Sequence, residues 1–283
     1  MVLDYHPEVV LHLAAQPIVL DGYREPRYTY ETNVMGTVNL LEAVRRVDCV
    51  RSLVNVTTDK VYKNEDRVGY GYVENDPLDG YDPYSNSKSC SELVTHSYAK
   101  SFLAAAGVAV STARAGNVIG GGDFAVNRIV PDCVRAVEMA TPLIVRNPFS
   151  TRPYQHVLEP LFAYLMIAQE QYLNSAYADS YNVGPDDCDC VTTGELVSLF
   201  ARAWGAGFVW VDEAQGKNAP HEATFLKLNS GKLKRVFGWE PHWHIVDAIK
   251  ATAEWTRVYL GNDDVCACMD VQIERYMKGV SNV

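Results

Sequence analysis

Apolar runs alternate with amphipathic segments through the first half of this 283-residue chain, and no other feature restricts its fold as much. The runs at 8–13, 51–56 and 108–114 have the length and composition of buried strands. Segments with helical spacing separate them at about 32–47 and 83–106. Strands that alternate with helices are typical of a parallel sheet covered by helices. The first half therefore predicts an α/β fold built on a doubly wound parallel sheet.

The pattern changes after about residue 119, where glycines at 120–122 interrupt it. The remainder reads as helices with short strands at 143–145, 181–183 and 208–211. This spacing predicts a second, smaller domain of mixed α/β structure.

We therefore predict two domains. The first comprises residues 1–118, and residues of about 154–184 return to it. The second comprises mainly residues 119–283 and is expected to cover a substrate.

The chain is acidic, with a formal net charge of -10, and its basic residues form no run. Surfaces that bind nucleic acid or anionic membranes need clustered basic residues, so we expect neither partner. The seven cysteines are an odd number, and the first residues contain neither a basic leader nor a long apolar run. These features predict a cytoplasmic protein with reduced thiols.

The spacing of cysteines and histidines predicts no metal site. The cysteine pairs at 188/190 and 266/268 are Cys-x-Cys rather than the Cys-x-x-Cys of zinc ribbons, and no histidine lies near either in the sequence. His242 and His244 offer two ligands without a third acidic or cysteine partner.

Chemically useful side chains follow the predicted strands. In open parallel sheets, ligands bind beyond the carboxyl ends of the strands. Residues 12–16, 56–60 and 114–118 occupy these ends and are expected to converge at one edge of the sheet.

The segment Tyr-Ser-Asn-Ser-Lys at 84–88 indicates redox chemistry on an alcohol. Residues four apart lie on one face of a helix, so Tyr84 and Lys88 point the same way. A neighbouring ammonium favours the phenolate form of a tyrosine, whose unperturbed pKa of about 10 makes it a poor base. Tyr84 could then take a proton from a substrate hydroxyl as hydride leaves the carbon.

The start of the printed chain lacks a glycine-rich turn. A dinucleotide-binding sheet ordinarily opens with a strand, such a turn and a helix that holds the pyrophosphate. The chain begins instead just before what would be the fourth strand. We expect a fragment or an internal start codon; the alternative is a protein that has lost its cofactor fingerprint.

Six longer segments carry a resemblance to a known family: 12–16, 33–37, 57–62, 114–123, 128–132 and 152–160. They resemble the extended short-chain dehydrogenase/reductases, and within these the nucleotide-sugar 4,6-dehydratases. Lys60 stands where the thymidine-sugar members have glutamate. In this exchange the chain is similar to the branch of the family that acts on CDP-glucose. The resemblance runs to Tyr276 and implies a Rossmann-like first domain that binds NAD and a second domain that binds the nucleotide sugar.

The resemblance also implies a redox-neutral reaction. C4 of the hexose is oxidised, water is eliminated across C5 and C6, and hydride returns to C6. Tyr84 would be the base for the 4-hydroxyl, Lys88 would bind the nicotinamide ribose, and Thr58 would hydrogen-bond the same hydroxyl. Asp59 would protonate the departing 6-hydroxyl. Lys60 would be either the base at C5 or an electrostatic contact to the enolate.

Binding residues follow from the same resemblance. We expect NAD to contact Leu13, Ala14, Ala15, Gln16, Asn33, Thr57, Tyr84, Lys88, Arg114 and Asn117. We expect the nucleotide sugar to contact Asn117, Arg128, Arg152 and His156, since guanidinium groups pair well with phosphate oxygens. Family members are usually homodimers through the two long helices, here 32–47 and 83–106.

Three alternatives stay open from the sequence: a dehydratase for another nucleotide sugar, a C4 epimerase, and a catalytically inactive binding or scaffold protein. The pair Asp59–Lys60 argues against simple epimerisation, because that reaction needs no acid for the loss of water.

Overall fold

The computed structural model describes residues 2–213 and 225–280, and the chain forms two compact units. Unit 1 contains Met1–Gly116, Leu161–Val183 and Lys227–Trp239, and unit 2 contains Asn117–Pro160, Gly184–Leu226 and Glu240–Val283.

The strands, in chain order, are β1 (Val9–His12), β2 (Ser52–Val56), β3 (Ala109–Ala115), β4 (Val118–Ile119), β5 (Leu143–Val145), β6 (Thr151–Pro153), β7 (Gln155–His156), β8 (Ser180–Val183), β9 (Cys190–Thr192) and β10 (Trp210–Asp212). The α-helices are α1 (Val2–Tyr5), α2 (Val19–Arg24), α3 (Pro26–Tyr30), α4 (Gly36–Arg45), α5 (Pro83–Tyr98), α6 (Ile129–Glu138), α7 (Leu158–Leu173), α8 (Thr193–Trp204), α9 (Gly231–Phe237), α10 (Ile245–Leu260) and α11 (Val265–Val280). Short π-helical segments lie at Glu31–Met35 and Ala99–Leu103, and 3-10 turns at Asp59–Val61, Ser175–Tyr177 and Asp187–Asp189.

Unit 1 is built on a four-stranded parallel sheet in the order β1-β2-β3-β8. Residues of β2 and β3 are buried on both faces, as expected for a parallel sheet covered by helices. The sheet confirms the predicted α/β class, and β1, β2 and β3 lie within one residue of the predicted strands.

The first predicted helix, 32–47, begins earlier in the structure. Pro26 occupies the first turn of α3, and the π-helical segment Glu31–Met35 connects α3 to α4. Proline is favoured at a helix start, so the signal was present in the sequence and was missed. Leu41 and Val44 on α4 pack with Leu53 of β2 in a buried cluster. Burial of one such side chain stabilises a fold by roughly 1.5–3 kcal/mol.

Helix α5 packs onto the sheet through a polar face. Asn55 of β2 donates from Nδ2 to Ser91 Oγ at 3.0 Å and to Thr95 Oγ1 at 2.8 Å. All three side chains are buried. Buried polar groups need partners, and this network supplies them for the Asn55 amide nitrogen and for the two hydroxyls. It also fixes the position of α5 against the strand ends.

Unit 2 has a core of its own, formed by α6, α8 and α10 with short paired strands. Strand β5 pairs with β10, β4 with β7, and β6 antiparallel with β9. Thr192 and Glu195 form a capping box at the start of α8, which satisfies two backbone N–H groups. At Gly121 an added Cβ would lie 2.1 Å from the Trp255 ring, so only glycine fits there.

Among the described residues, no helix is both long enough and apolar enough to cross a membrane.

Candidate active site

The loop after β2 carries the predicted acid and base. The Thr57 N–H donates to the Ala113 carbonyl at 2.8 Å, which continues the β2–β3 ladder past the strand. The chain then turns into the 3-10 turn Asp59–Val61, and Thr58 caps this turn. Thr58 donates from Oγ1 to Asp59 Oδ1 at 2.9 Å. Asp59 is 1% exposed, whereas Lys60 is partly exposed.

The start of α5 places Lys88 beside this loop, one helical turn after Tyr84. Asp82 accepts from the Ser85 N–H at 3.0 Å as the N-cap, and Pro83 follows at the first helical position. Tyr84 and Lys88 are both buried, one helical turn apart. Lys88 donates from Nζ to the main-chain oxygen of Val56 at 3.0 Å. The structure therefore brings Lys88 to the end of β2, two residues before Thr58.

Burial lowers the pKa values of two basic side chains in this region, Lys88 and His12. It lowers the pKa of Lys88 from 10.5 to about 8, with Glu92 acting in the opposite direction. It also lowers the pKa of His12, at the end of β1, to about 4, and the charge of Lys88 adds to this effect. Lys88 is thus mainly an ammonium at neutral pH, and His12 is a neutral imidazole.

Two glycines let neighbouring segments approach the start of α5. A Cβ at Gly80 would lie 2.3 Å from the main-chain carbon of Ser85, and a Cβ at Gly22 would lie 3.2 Å from the Tyr84 nitrogen. Any other residue at position 80 would push the helix start away.

The loop after β1 is held by side-chain amides. Asn33 Oδ1 accepts from the Gln16 N–H at 2.8 Å, and Asn33 Nδ2 donates to the Gln16 carbonyl at 3.0 Å and to Ser87 Oγ at 2.9 Å. These contacts connect the loop to α5. Leu13 is 48% exposed and Ala14 is exposed, while Ala15 is partly buried. Leu13 and Ala14 are therefore open to a ligand at this edge, whereas Gln16 and Asn33 hold the loop in place.

Arg114 lies in the interior. Its guanidinium donates to Glu92 Oε2 at 2.8 Å, to the Tyr62 hydroxyl at 2.8 Å and to the Glu74 carbonyl at 2.9 Å. The side chain is 1% exposed. Arg114 thus forms an internal ion pair with Glu92. Its role in binding the cofactor remains a prediction.

Glu92 is the residue that sequence reasoning missed. It also accepts from the hydroxyls of Thr57 and Thr112, so it joins α5 to β2 and β3. The sequence did contain a signal for Glu92. Tyr84, Lys88 and Glu92 are four residues apart and therefore lie on one face of the helix.

The residues predicted to bind the nucleotide sugar lie in unit 2. Asn117 accepts from the Gln155 N–H at 3.0 Å through its main-chain oxygen, which places it beside β7. His156 of β7 is buried, and burial lowers its pKa to about 4. Arg152 of β6 is buried, and Arg128, just before α6, is partly exposed and donates to Asp123 Oδ2 at 3.0 Å. Their roles stay predictions.

One sequence argument needs correction. No histidine is near Cys188 in the chain, yet the fold places His244 beside it: Asp189 Oδ2 lies 2.8 Å from His244 Nδ1 and 3.7 Å from Cys188 Sγ. The contact joins residues 55 apart in sequence, which local spacing cannot detect.

The four-stranded parallel sheet, with the buried Lys88 of a Tyr-x-x-x-Lys helix at its carboxyl edge, fits an extended short-chain dehydrogenase/reductase. The chain belongs to the family of nucleotide-sugar 4,6-dehydratases, because the family model for GDP-mannose 4,6 dehydratase matches residues 1–252. The predicted family and fold are therefore confirmed.

One relative by sequence supports this assignment, and two solved structures have the same fold. A CDP-glucose 4,6-dehydratase of Salmonella typhimurium is 42% identical over 99% of this chain and 79% of its own length. The structure of a Thermus thermophilus UDP-glucose 4-epimerase in complex with NAD is 26% identical, with a TM-score of 0.78 over 90% of this chain and 79% of that one. A Bacillus anthracis dTDP-glucose 4,6-dehydratase in complex with NAD, at 23% identity, has a TM-score of 0.74 over 90% of this chain and 74% of its own.

Proposed function

We propose that this protein dehydrates CDP-D-glucose to CDP-4-dehydro-6-deoxy-D-glucose, with NAD as its resident cofactor. The observation that carries the proposal is the hydrogen bond from Lys88 Nζ to the Val56 carbonyl. It sets the Tyr84–Lys88 helix against the loop that carries Thr58 and Asp59. The 42% identity to a protein of this name supports the choice of nucleotide.

The residues at the edge of the sheet fit a nicotinamide cofactor. Leu13 and Ala14 offer exposed apolar surface at the end of β1, and Lys88 offers a buried ammonium that can donate to ribose hydroxyls. Together with Tyr84 they would hold the nicotinamide half. NAD supplies the hydride acceptance at C4 and the hydride return to C6 when bound.

Tyr84 removes the proton of the 4-hydroxyl. The ammonium of Lys88 lies on the same face of α5 and favours the phenolate that this step requires. Thr58 orients the same hydroxyl by a hydrogen bond. The pKa of Lys88, about 8, keeps most of its charge at neutral pH.

Asp59 then protonates the departing 6-hydroxyl. Its carboxyl is shielded from water at 1% exposure, and Thr58 holds one of its oxygens. Lys60, which is partly exposed, removes the proton at C5 or stabilises the resulting enolate. Arg128 and Arg152 bind the diphosphate, and Asn117 and His156 complete the sugar-nucleotide contacts.

A homodimer belongs to the same proposal. Family members dimerise through two helical segments, here 32–47 and 83–106. These segments carry exposed apolar side chains at Met35, Leu93 and Phe102. Large exposed apolar patches mark association sites, and the exposed apolar side chains on both segments support this interface. A cytoplasmic location is supported by the cysteines, none of which forms a disulfide in the part of the chain that the structure describes.

Mass spectrometry in deuterated water tests the reaction. The protein, supplied with NAD, is incubated separately with CDP-glucose, dTDP-glucose, UDP-glucose and GDP-mannose. We expect loss of one water and gain of one carbon-bound deuterium at C5, with CDP-glucose turned over fastest. An epimerase would leave the product mass unchanged. Absence of turnover while NAD is bound would reject the proposal.

A further inference from the structure

Three side chains of metal-binding type meet on unit 2. Cys188 and Asp189 belong to the 3-10 turn Asp187–Asp189, and His244 is the residue before α10. One ligand atom from each lies within 4.8 Å of the others. Within the described residues, this is the one such group of three or more.

The distances are close to those of a tetrahedral zinc site. With bonds of about 2.0 Å to nitrogen and oxygen and about 2.3 Å to sulfur, the ligand atoms lie roughly 3.3–3.6 Å apart. Asp189 Oδ2 is 3.7 Å from Cys188 Sγ and 2.8 Å from His244 Nδ1. Cys188 and His244 are exposed, so small side-chain rotations reach the required separations.

The surroundings favour a cation at this position. Asp189 is 3% exposed, and its second oxygen accepts from the Ile245 N–H at 2.9 Å, which holds the carboxylate in one orientation. Asp186 and Asp247 lie close enough to His244 to act on it electrostatically, and their charges add to the attraction. Exposure of Cys188 and His244 gives the ion a path from solvent.

We propose that Cys188, Asp189 and His244 bind a zinc ion, with water as the fourth ligand. Thiolate and imidazole select zinc over magnesium and calcium, which prefer oxygen ligands alone. The bound ion joins the turn Asp187–Asp189 to the residue before α10. It therefore stabilises unit 2.

Titration of the reduced chain with cobalt, followed by displacement with zinc, tests the site. We expect a thiolate-to-cobalt absorption band in the near ultraviolet that zinc abolishes, and a rise in Tm when zinc is added. Cys188→Ser should remove the band, and His244→Gln should weaken cobalt binding by roughly tenfold or more. Both positions are exposed, so neither substitution removes a core contact.

Cys190→Ser and Cys266→Ser are the matched controls. Each removes a cysteine thiol outside the group of three and should leave the cobalt band and its midpoint unchanged. If the parent shows no thiolate band, or if the band persists in Cys188→Ser, the cluster is a hydrogen-bonded helix cap and the proposal is wrong.

Discussion

Lys88 on α5 donates to the main-chain oxygen of Val56 at the end of β2, and this 3.0 Å contact sets the helix against the loop of Thr58 and Asp59. The burial of the Lys88 ammonium has an effect on stability that can be measured. In the folded protein the pKa of Lys88 is about 8, whereas in the unfolded chain it is about 10.5. The unfolded state binds more protons between these values, so stability rises with pH across this window.

Replacing Lys88 with Met should remove this pH dependence. A change of one unit in pKa corresponds to about 1.4 kcal/mol, so the parent should gain on the order of 3 kcal/mol relative to Lys88→Met between pH 8 and 10.5. Urea unfolding at several pH values measures this. Lys100→Met, at an exposed position, is the control and should follow the parent curve. Parallel curves for the parent and Lys88→Met would contradict the buried-ammonium description.

Replacing Tyr84 with Phe should lower the rate of dehydration by roughly a hundredfold to ten thousandfold, because the base for the 4-hydroxyl is lost. Binding of CDP-glucose should remain. Tyr81→Phe removes the same hydroxyl from a side chain that is 73% exposed and should leave the rate unchanged. Turnover of Tyr84→Phe near the parent rate would refute the assignment.

Replacing Asp59 with Asn should spare oxidation at C4 and slow the loss of water, because an amide cannot protonate the departing hydroxyl. Reduced cofactor should then accumulate, and its absorbance in stopped-flow experiments reports this. Asp79→Asn, at an exposed position, should show no accumulation. Oxidation without any accumulation in Asp59→Asn would argue against the acid role.

Separating Arg114 from Glu92 should destabilise unit 1 strongly. Both side chains are at most 1% exposed, and removal of one partner leaves a buried charge unpaired. We expect Arg114→Met to cost roughly 3–5 kcal/mol in denaturant unfolding. Arg45→Met breaks the more exposed pair with Glu42 and should cost far less. Equal losses of unfolding free energy in the two variants would show that burial does not determine how much these ion pairs contribute to stability.

Adding one methyl group at Gly80 should displace the start of α5. The new Cβ would meet the Ser85 backbone at 2.3 Å, and overpacking of this kind costs roughly 1–3 kcal/mol. Because Tyr84 precedes Ser85, Gly80→Ala should also lower turnover. Gly36→Ala places its methyl group in open space on a helix and should be neutral or stabilising. Normal activity and stability in Gly80→Ala would contradict the close approach.

Much of the fold was predictable because local patterns carry it. The apolar run that became β2 and the proline that opens α5 are read from neighbouring residues alone. Residues 227–239, by contrast, lie in unit 1, and no local pattern indicated this return of the chain. The predicted roles of the site residues remain predictions, although the structure brings Lys88 to the loop that holds Thr58.

The sequence by itself determined β1, β2 and β3, the start of α5 and the spacing that aligns Tyr84 with Lys88, because periodicity and capping depend on residues within a few positions of each other. Only the tertiary structure decided that Arg114 pairs with Glu92 and that His244 meets Asp189. These partners are 22 and 55 residues apart, and their contact depends on the path of the whole chain and on the need of buried charges for a partner.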